Sequence, residues 1–221
     1  LTKSDAENSD SFLAQGGICV LRDKNDFDSF MEDTMKAGHY ENRKESVEIM
    51  INSSRDIINE LIGYGVDFAT KDGELDYTRE GAHSKPRILF HEDITGKEIT
   101  STLLDVVRKL ENVTIMEYVT MTDIIEKDNV CYGVLAKDAN NNEMSIEAGY
   151  TIFACGGIGG LYDHSTNYPH LTGDAIAIAI QHGIKLENVD YVQIHPTTLY
   201  TKEKGRAFLI SESVRGEGAK L

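Results

Sequence analysis

The hydrophobic period of this 221-residue chain changes near its middle, and that change narrows the folds open to it. Before residue 111, apolar side chains recur at helical spacing. Val47, Met50, Ile51, Ile57, Ile58 and Leu61 share one 3.6-residue face, with Asn42 to cap the start and Gly63 and Gly65 to close the end. Residues 96–110 repeat the pattern through Ile99, Leu103, Val106, Val107 and Leu110, and Asp26 to Ala37 reads as a shorter helix stopped by Gly38. From residue 113 the runs shorten to strand length: Val113 to Tyr118, Met121 to Ile125, Val130 to Ala136 and Met144 to Ala148, with "DANNNE" as a hairpin turn. Val66 to Phe68 adds a strand, "YTIFACGG" (150–157) a buried strand ending in glycines, and "GDAIAIAIQHG" a small-residue helix from Gly173 to His182. The mixture predicts an α/β fold.

Charge limits the partners. The chain has 37 acidic against 22 basic residues, a formal charge of −15, which leaves no general basic face for nucleic acid or an anionic membrane. No apolar run is long enough to cross a bilayer. Cys19, Cys131 and Cys155 are far apart and lack a C-x-x-C or Cys/His pattern, which points to buried free thiols and to no metal site. "LTKSDAENSD" opens like the tail of a strand (Leu1 to Lys3) running into a polar loop, and "SESVRGEGAKL" stops abruptly. The chain is expected to be an internal piece of a longer protein.

Against this acidity, "TREGAHSKPRI" (78–88) gathers Arg79, His83, Lys85 and Arg87 around one carboxylate, Glu80. A solvated basic loop and a pocket for a small anion are both open readings. An internal ion pair of His83 or Arg87 with Glu80 or Glu92 is a third.

Other stretches are weak singly. "FACGGIGG" ends an apolar strand in a turn where backbone can approach a ligand or another chain segment, but it lacks G-x-G-x-x-G spacing. "SFLAQGGI" holds a second glycine pair. In "QIHPTTLY", Pro196 forces His195 out of helical geometry and ends the strand-like run. "SESVRGEGA" offers Ser211, Glu212 and Arg215 among glycines, which also reads as a helix cap and flexible turn.

Their order is more specific. "S-x-x-A-Q-G-G", "TREG-x-H-S", "A-x-G-G", "T-N-x-P-x-x-T-G-D", "Q-x-H-P-T-x-L-Y" and "E-x-x-R-G-E-G-A" together resemble the flavoprotein family of succinate dehydrogenase, fumarate reductase and L-aspartate oxidase. The resemblance runs from Lys3 to Leu221. Within it, "LDYTREGAHSKPRILFHEDITGKEITSTL" looks like the aspartate-oxidising branch.

The resemblance implies a fold: an FAD-binding domain over 1–189 with a Rossmann-like parallel sheet and an antiparallel β meander. That domain would be N-terminally truncated, without its first βαβ glycine loop, and 190–221 would begin an α+β substrate-capping domain. It also implies roles. Lys3 falls near the adenosine side of FAD. Asp10, Ser11, Phe12, Leu13, Ala14, Gln15, Gly16 and Gly17 match the loop along the flavin, with the peptide N–H groups of Gln15, Gly16 and Gly17 as donors. Asp174 matches an FAD-site residue. His195 matches the His that binds a substrate carboxylate, Ser211 and Glu212 stand close to substrate, and Glu80 matches the carboxylate that orients the amino group of L-aspartate. Simple charge pairing suits Glu80 to that amine. Members with covalent flavin carry His where this chain has Asp10, so FAD is expected to be non-covalent. The family's catalytic Arg would lie beyond Leu221.

The implied reaction oxidises L-aspartate to iminoaspartate with oxygen or fumarate as acceptor. The product would pass to quinolinate synthase, in the cytoplasm, at the start of bacterial NAD formation. Two alternatives stand beside it: a soluble fumarate reductase of the same family, and an inactive fragment or FAD-binding scaffold.

Overall fold

A computed structural model describes residues 1–195, 197–211, 214 and 219. The chain divides into two compact units, Leu1–Asp10 with Leu110–Leu209 and Ser11–Lys109 with Ile210–Leu221.

In the Ser11–Lys109 unit, a short helical turn, α1 (Asp10–Leu13), leads through the Gln15–Gly17 turn into β1 (Ile18–Cys19). A 3₁₀ turn, Lys24–Asp26, is capped by the Asp23 carboxylate on the Asn25 N–H and runs into α2 (Phe27–Ala37). Then come α3 (Lys44–Tyr64), the hairpin β2 (Thr70–Lys71) and β3 (Glu74–Leu75), β4 (Ile88–Leu89) and α4 (Thr95–Val107). β1 pairs antiparallel with β4, Ile18 opposite Leu89.

The long amphipathic helix forms as its spacing predicts, with two differences. Its N-cap is Arg43, and Asn42 instead packs its side chain onto Gly38 at the end of α2. Its buried stripe is Val47, Ile51, Ile58 and Leu61, whereas Met50 and Ile57 stay half exposed beside α2. Gly65 ends the helix at φ +104, a conformation in which a side chain is strained. Two apolar clusters hold this unit: Val20, Ile58, Leu61, Val66, Phe68 and Leu89 in one, Phe30, Val47 and Ile51 in the other. Burying a Leu or Phe in this way stabilises by about 1.5–3 kcal/mol.

Val66 and Phe68 are buried, with Asp67 exposed between them, but the run is not a ladder strand; the pairing falls just after it, in the β2–β3 hairpin turned by Asp72 (φ +54) and Gly73 (φ +85). Asp and Gly tolerate the left-handed turn, so this hairpin was readable from "KDGE" and was missed.

The other unit contains the expected meander: β5 (Thr120–Lys127), β6 (Val130–Lys137) and β7 (Glu143–Glu147), all antiparallel. Asp138 holds the predicted turn by accepting the N–H groups of Asn140 and Asn142. β8 (His164–Ser165) pairs parallel with β9 (Gly205–Arg206), and α5 (Asp174–Gln181) seats Ile178 on Ile124 and Val134 of the meander.

Three expectations fail locally. Val113 to Tyr118 forms only a parallel bridge, Thr2 to Glu117. Residues 150–157 form no ladder among the described residues and are not buried: Tyr150 is 94% and Ile152 87% exposed. An apolar run reads alike whether or not its partners are present. The cysteines are free, as expected, but Cys155 is exposed and Cys19 and Cys131 are half-buried.

Candidate functional site

The loop after α1 is fixed by α4. The Ala14 carbonyl accepts the Gly96 N–H at 2.8 Å, and a Cβ on Gly96 would collide with the Ser11 carbonyl and Ala14. Lys97 sits over the Phe12 ring at 5.8 Å. Ser11, Phe12, Leu13, Ala14, Gln15, Gly16 and Gly17 thus lie on one tethered turn. Gly96 is a residue that motif reading missed; "ITGKE" reads only as a helix start.

Gly17 enters β1 against β4 so closely that a Cβ would strike the Leu89 carbonyl and Ile88 Cγ2. Its N–H is directed to Glu80 Oε1 at 3.2 Å. The N–H that is expected to serve the cofactor is taken here by a protein carboxylate. Glu80 also lies 3.4 Å from where a Cβ on Gly16 would stand. Glu80 and the Gln15–Gly17 turn, 63 residues apart in sequence, are brought together.

Two of the basic groups of 78–88, Arg87 and Lys85, pair with carboxylates other than Glu80. Arg87 is fully buried and binds Asp26 through Nε (3.0 Å) and Nη2 (2.9 Å), Asp33 through Nη1 (2.6 Å) and Ser29 through Nη2 (3.0 Å). Lys85 reaches Asp26 at 3.3 Å. The ion pair is internal, as one reading had it, but its acids are on the 3₁₀ turn and α2 and are neither Glu80 nor Glu92. Burial alone would raise Asp26, yet the hydrogen bonds from Arg87, Ser29 and Lys85 outweigh it and hold the carboxyl at about 2. His83 is lowered by burial and by Arg87, so its ring stays neutral. Burial and the nearby Glu80 push the Cys19 thiol up to about 11. Cys19, His83, Phe30 and Asp33 line a cavity of about 520 Å³ that also touches Gly17.

In the same unit, the Ser211 hydroxyl donates to Asp93 at 2.6 Å. Glu212 lies outside the described residues.

The Leu1–Asp10 and Leu110–Leu209 unit carries the remaining candidates. Lys3 Nζ binds Asp174 at 2.6 Å, the Thr172 hydroxyl at 2.7 Å and the His170 carbonyl at 3.1 Å. Burial would raise Asp174, but Lys3 and Thr172 draw it below the ordinary range. It stands at the start of α5, where the helix dipole also favours an anion. The glycines of "FACGGIGG" divide their work. A Cβ on Gly159 would meet Asn167 and one on Gly160 the carbonyls of Tyr168, Pro169 and Leu171, so these two admit another chain segment. Gly157 accepts the Gly173 N–H, and a Cβ on it would meet nothing within 4 Å. A polar corner of Lys3, Thr172 and Asp174 beside a glycine with an open face suits the hydroxyl-rich, nucleoside part of a dinucleotide.

Asp10 accepts the Tyr168 N–H at 3.1 Å and binds Asn167 Nδ2. It anchors the 167–168 turn. At His195, Nδ1 faces the Thr197 N–H and hydroxyl, each at 3.2 Å. With Nδ1 accepting the Thr197 N–H, the neutral ring carries its proton on Nε2. Among the described residues, no group of three His, Cys, Asp or Glu could hold a metal ion, and no helix is long and apolar enough to cross a membrane.

Comparison with known proteins bears on the family of the chain. The chain is 46% identical over 222 residues to an L-aspartate oxidase of Clostridium perfringens, covering all of this chain and 50% of that protein. It is 48% identical over 225 residues to an L-aspartate oxidase of Clostridium acetobutylicum, again over the whole chain and 51% of the relative. The chain thus spans about half the length of the curated relatives it matches. Among solved structures it is similar to a quinol-fumarate reductase with menaquinol molecules (TM-score 0.89, 26% identity, 98% of this chain and 37% of that one). A variant of E. coli quinol fumarate reductase gives TM-score 0.88 at 25% identity, over 97% of this chain and 36% of that one. The FAD binding domain family matches residues 1–221. With its mixed helices and sheets arranged as in the fumarate reductase flavoproteins, the chain belongs to the FAD binding domain family.

Proposed function

We propose that the chain is the cofactor-binding part of an FAD-dependent L-aspartate oxidase, which converts L-aspartate to iminoaspartate with oxygen or fumarate as acceptor. The carrying observation is the approach of Glu80 to the Gly16–Gly17 turn, with Oε1 3.2 Å from the Gly17 nitrogen. An aspartate substrate differs from succinate and fumarate by its ammonium group, and a carboxylate on the cofactor loop is the group that would distinguish them.

The assignments follow by chemistry. Lys3 and Asp174 would hold the adenosine end of FAD, and Asp10 with the Ser11–Gly17 turn would lie along the flavin end, without a covalent bond because Asp10 offers no imidazole. FAD, when bound, supplies the hydride acceptor. Glu80 pairs with the substrate ammonium and orients Cα. His195, its Nδ1 occupied by Thr197, donates Nε2–H to a substrate carboxylate. Ser211 and Glu212 would complete the substrate contacts. A Rossmann-like parallel sheet in a domain over 1–189, with a capping domain from 190, belongs to the same proposal, and the parallel bridge of Thr2 with Glu117 fits that sheet. The product would pass to quinolinate synthase, in the cytoplasm.

The test is Glu80→Gln in the full-length enzyme. The KM for aspartate should rise by between about tenfold and a hundredfold, the worth of a charge-assisted hydrogen bond, while that for fumarate changes little. Equal effects on the two substrates would remove the amine assignment and favour a fumarate reductase.

A further inference from the structure

We infer that Arg87 is a positioning residue, which sets Glu80 against the Gly16–Gly17 turn through His83 and Asp33. The inference rests on the assignment of Glu80 to the substrate amine.

The loop 79–87 is closed at its base by two backbone hydrogen bonds, Thr78 N–H to the Ile88 carbonyl (2.9 Å) and Ile88 N–H to the Thr78 carbonyl (3.1 Å). Glu80 lies just beyond that base. Nothing in the base bonds alone decides where its carboxylate points. Two side-chain tethers restrict the loop further. Asp33 on α2 accepts Arg87 Nη1 at 2.6 Å and also the Ser84 N–H (2.8 Å) and hydroxyl (2.7 Å), joining the end of the loop to its middle. Arg87 Nη1 also meets His83 Nδ1 at 3.1 Å. A guanidinium can only donate, so Nδ1 accepts, and the Nε2 proton faces Cys19 Sγ at 3.4 Å. Cys19 lies on β1, two residues after Gly17. Finally, the His83 N–H donates to the Glu80 carbonyl at 3.3 Å.

The path is continuous: Asp26 and Asp33 fix Arg87, Arg87 fixes the His83 ring between α2 and β1, and the His83 backbone fixes Glu80. Arg87 itself is 0% exposed. It cannot touch a substrate, which separates its role from that of a substrate-binding cation. An acidic protein has thus placed its buried cation where it holds an anion in register.

The test uses the full-length, flavin-loaded enzyme with Asp33→Asn and Arg87→Lys, and Glu80→Gln as reference. Asp33→Asn leaves the Asp26 pair in place, so it decides if Arg87→Lys does not fold. We expect a rise of about tenfold or more in the KM for aspartate, with the fumarate KM changed by less than about twofold. The inference is overturned if both constants rise together, or if neither moves, in a variant that keeps its flavin and a cooperative melt. Aspartate-selective loss in Glu80→Gln without it in the other two removes only the positioning role. No selectivity in Glu80→Gln removes the amine assignment and this inference with it.

Discussion

Arg87 grips Asp26 at both carboxylate oxygens, Nε to Oδ2 at 3.0 Å and Nη2 to Oδ1 at 2.9 Å, with the two side chains almost wholly buried. The grip makes stability depend on acid. The folded carboxyl titrates at about 2, below its ordinary 3.8. Its contribution is therefore complete above about pH 4 and is lost as pH falls from there through 2. The difference corresponds to about 2 kcal/mol. Urea midpoints between pH 5 and 2 should fall more steeply for the parent than for Asp26→Asn, which should already be weaker at pH 5. Parallel slopes would assign the acid sensitivity elsewhere.

Gly16 and Gly17 should respond differently to alanine. A Cβ on Gly17 meets backbone, the Leu89 carbonyl, so β1 and β4 must part to admit it. Gly17→Ala should lose about 1–3 kcal/mol, the cost of overpacking a fixed site. At Gly16 the nearest atom is the movable end of Glu80, at 3.4 Å. Gly16→Ala should keep its thermal midpoint within about 2 °C, a change of a few tenths of a kcal/mol, and express itself in the aspartate KM. Similar losses of stability in both would contradict the stated packing.

Much of this was legible because it is local. Helix α3 follows from an apolar stripe and a terminal Gly65, and the meander from short runs around "DANNNE". The Asp26–Arg87–Asp33 cluster was not, because its members are 54 and 61 residues apart and each, alone, reads as a solvated charge. Residues 150–157 failed for the opposite reason: their composition suits a strand, but a strand also needs a neighbouring ladder. Glu80 became a candidate through motif order, and its approach to Gly17 required coordinates.

Asp10 bears on how flavin is held. Its carboxylate accepts the Tyr168 N–H and binds Asn167, so it is engaged in the 167–168 turn. Acid precipitation of the flavin-loaded enzyme should release all flavin to the supernatant. Flavin retained on the pellet would mean a covalent bond formed at another side chain. Asp10→Ala should cost about 1–3 kcal/mol by leaving these donors without their acceptor.

His195 offers a test of which ring nitrogen works. Nδ1 accepts from the Thr197 N–H at 3.2 Å, which leaves Nε2–H for the proposed bond to a substrate carboxylate. Glutamine carries its amide nitrogen near the Nε2 position and asparagine near Nδ1. His195→Gln should therefore keep more activity than His195→Asn. His195→Ala should lower kcat/KM between about tenfold and a hundredfold with aspartate and with fumarate alike, since both present a carboxylate. If asparagine equals or exceeds glutamine, the donor is Nδ1 and the contact to Thr197 must break during turnover. Near-normal kinetics in all three variants would make this imidazole a structural partner of Thr197 and no part of the chemistry.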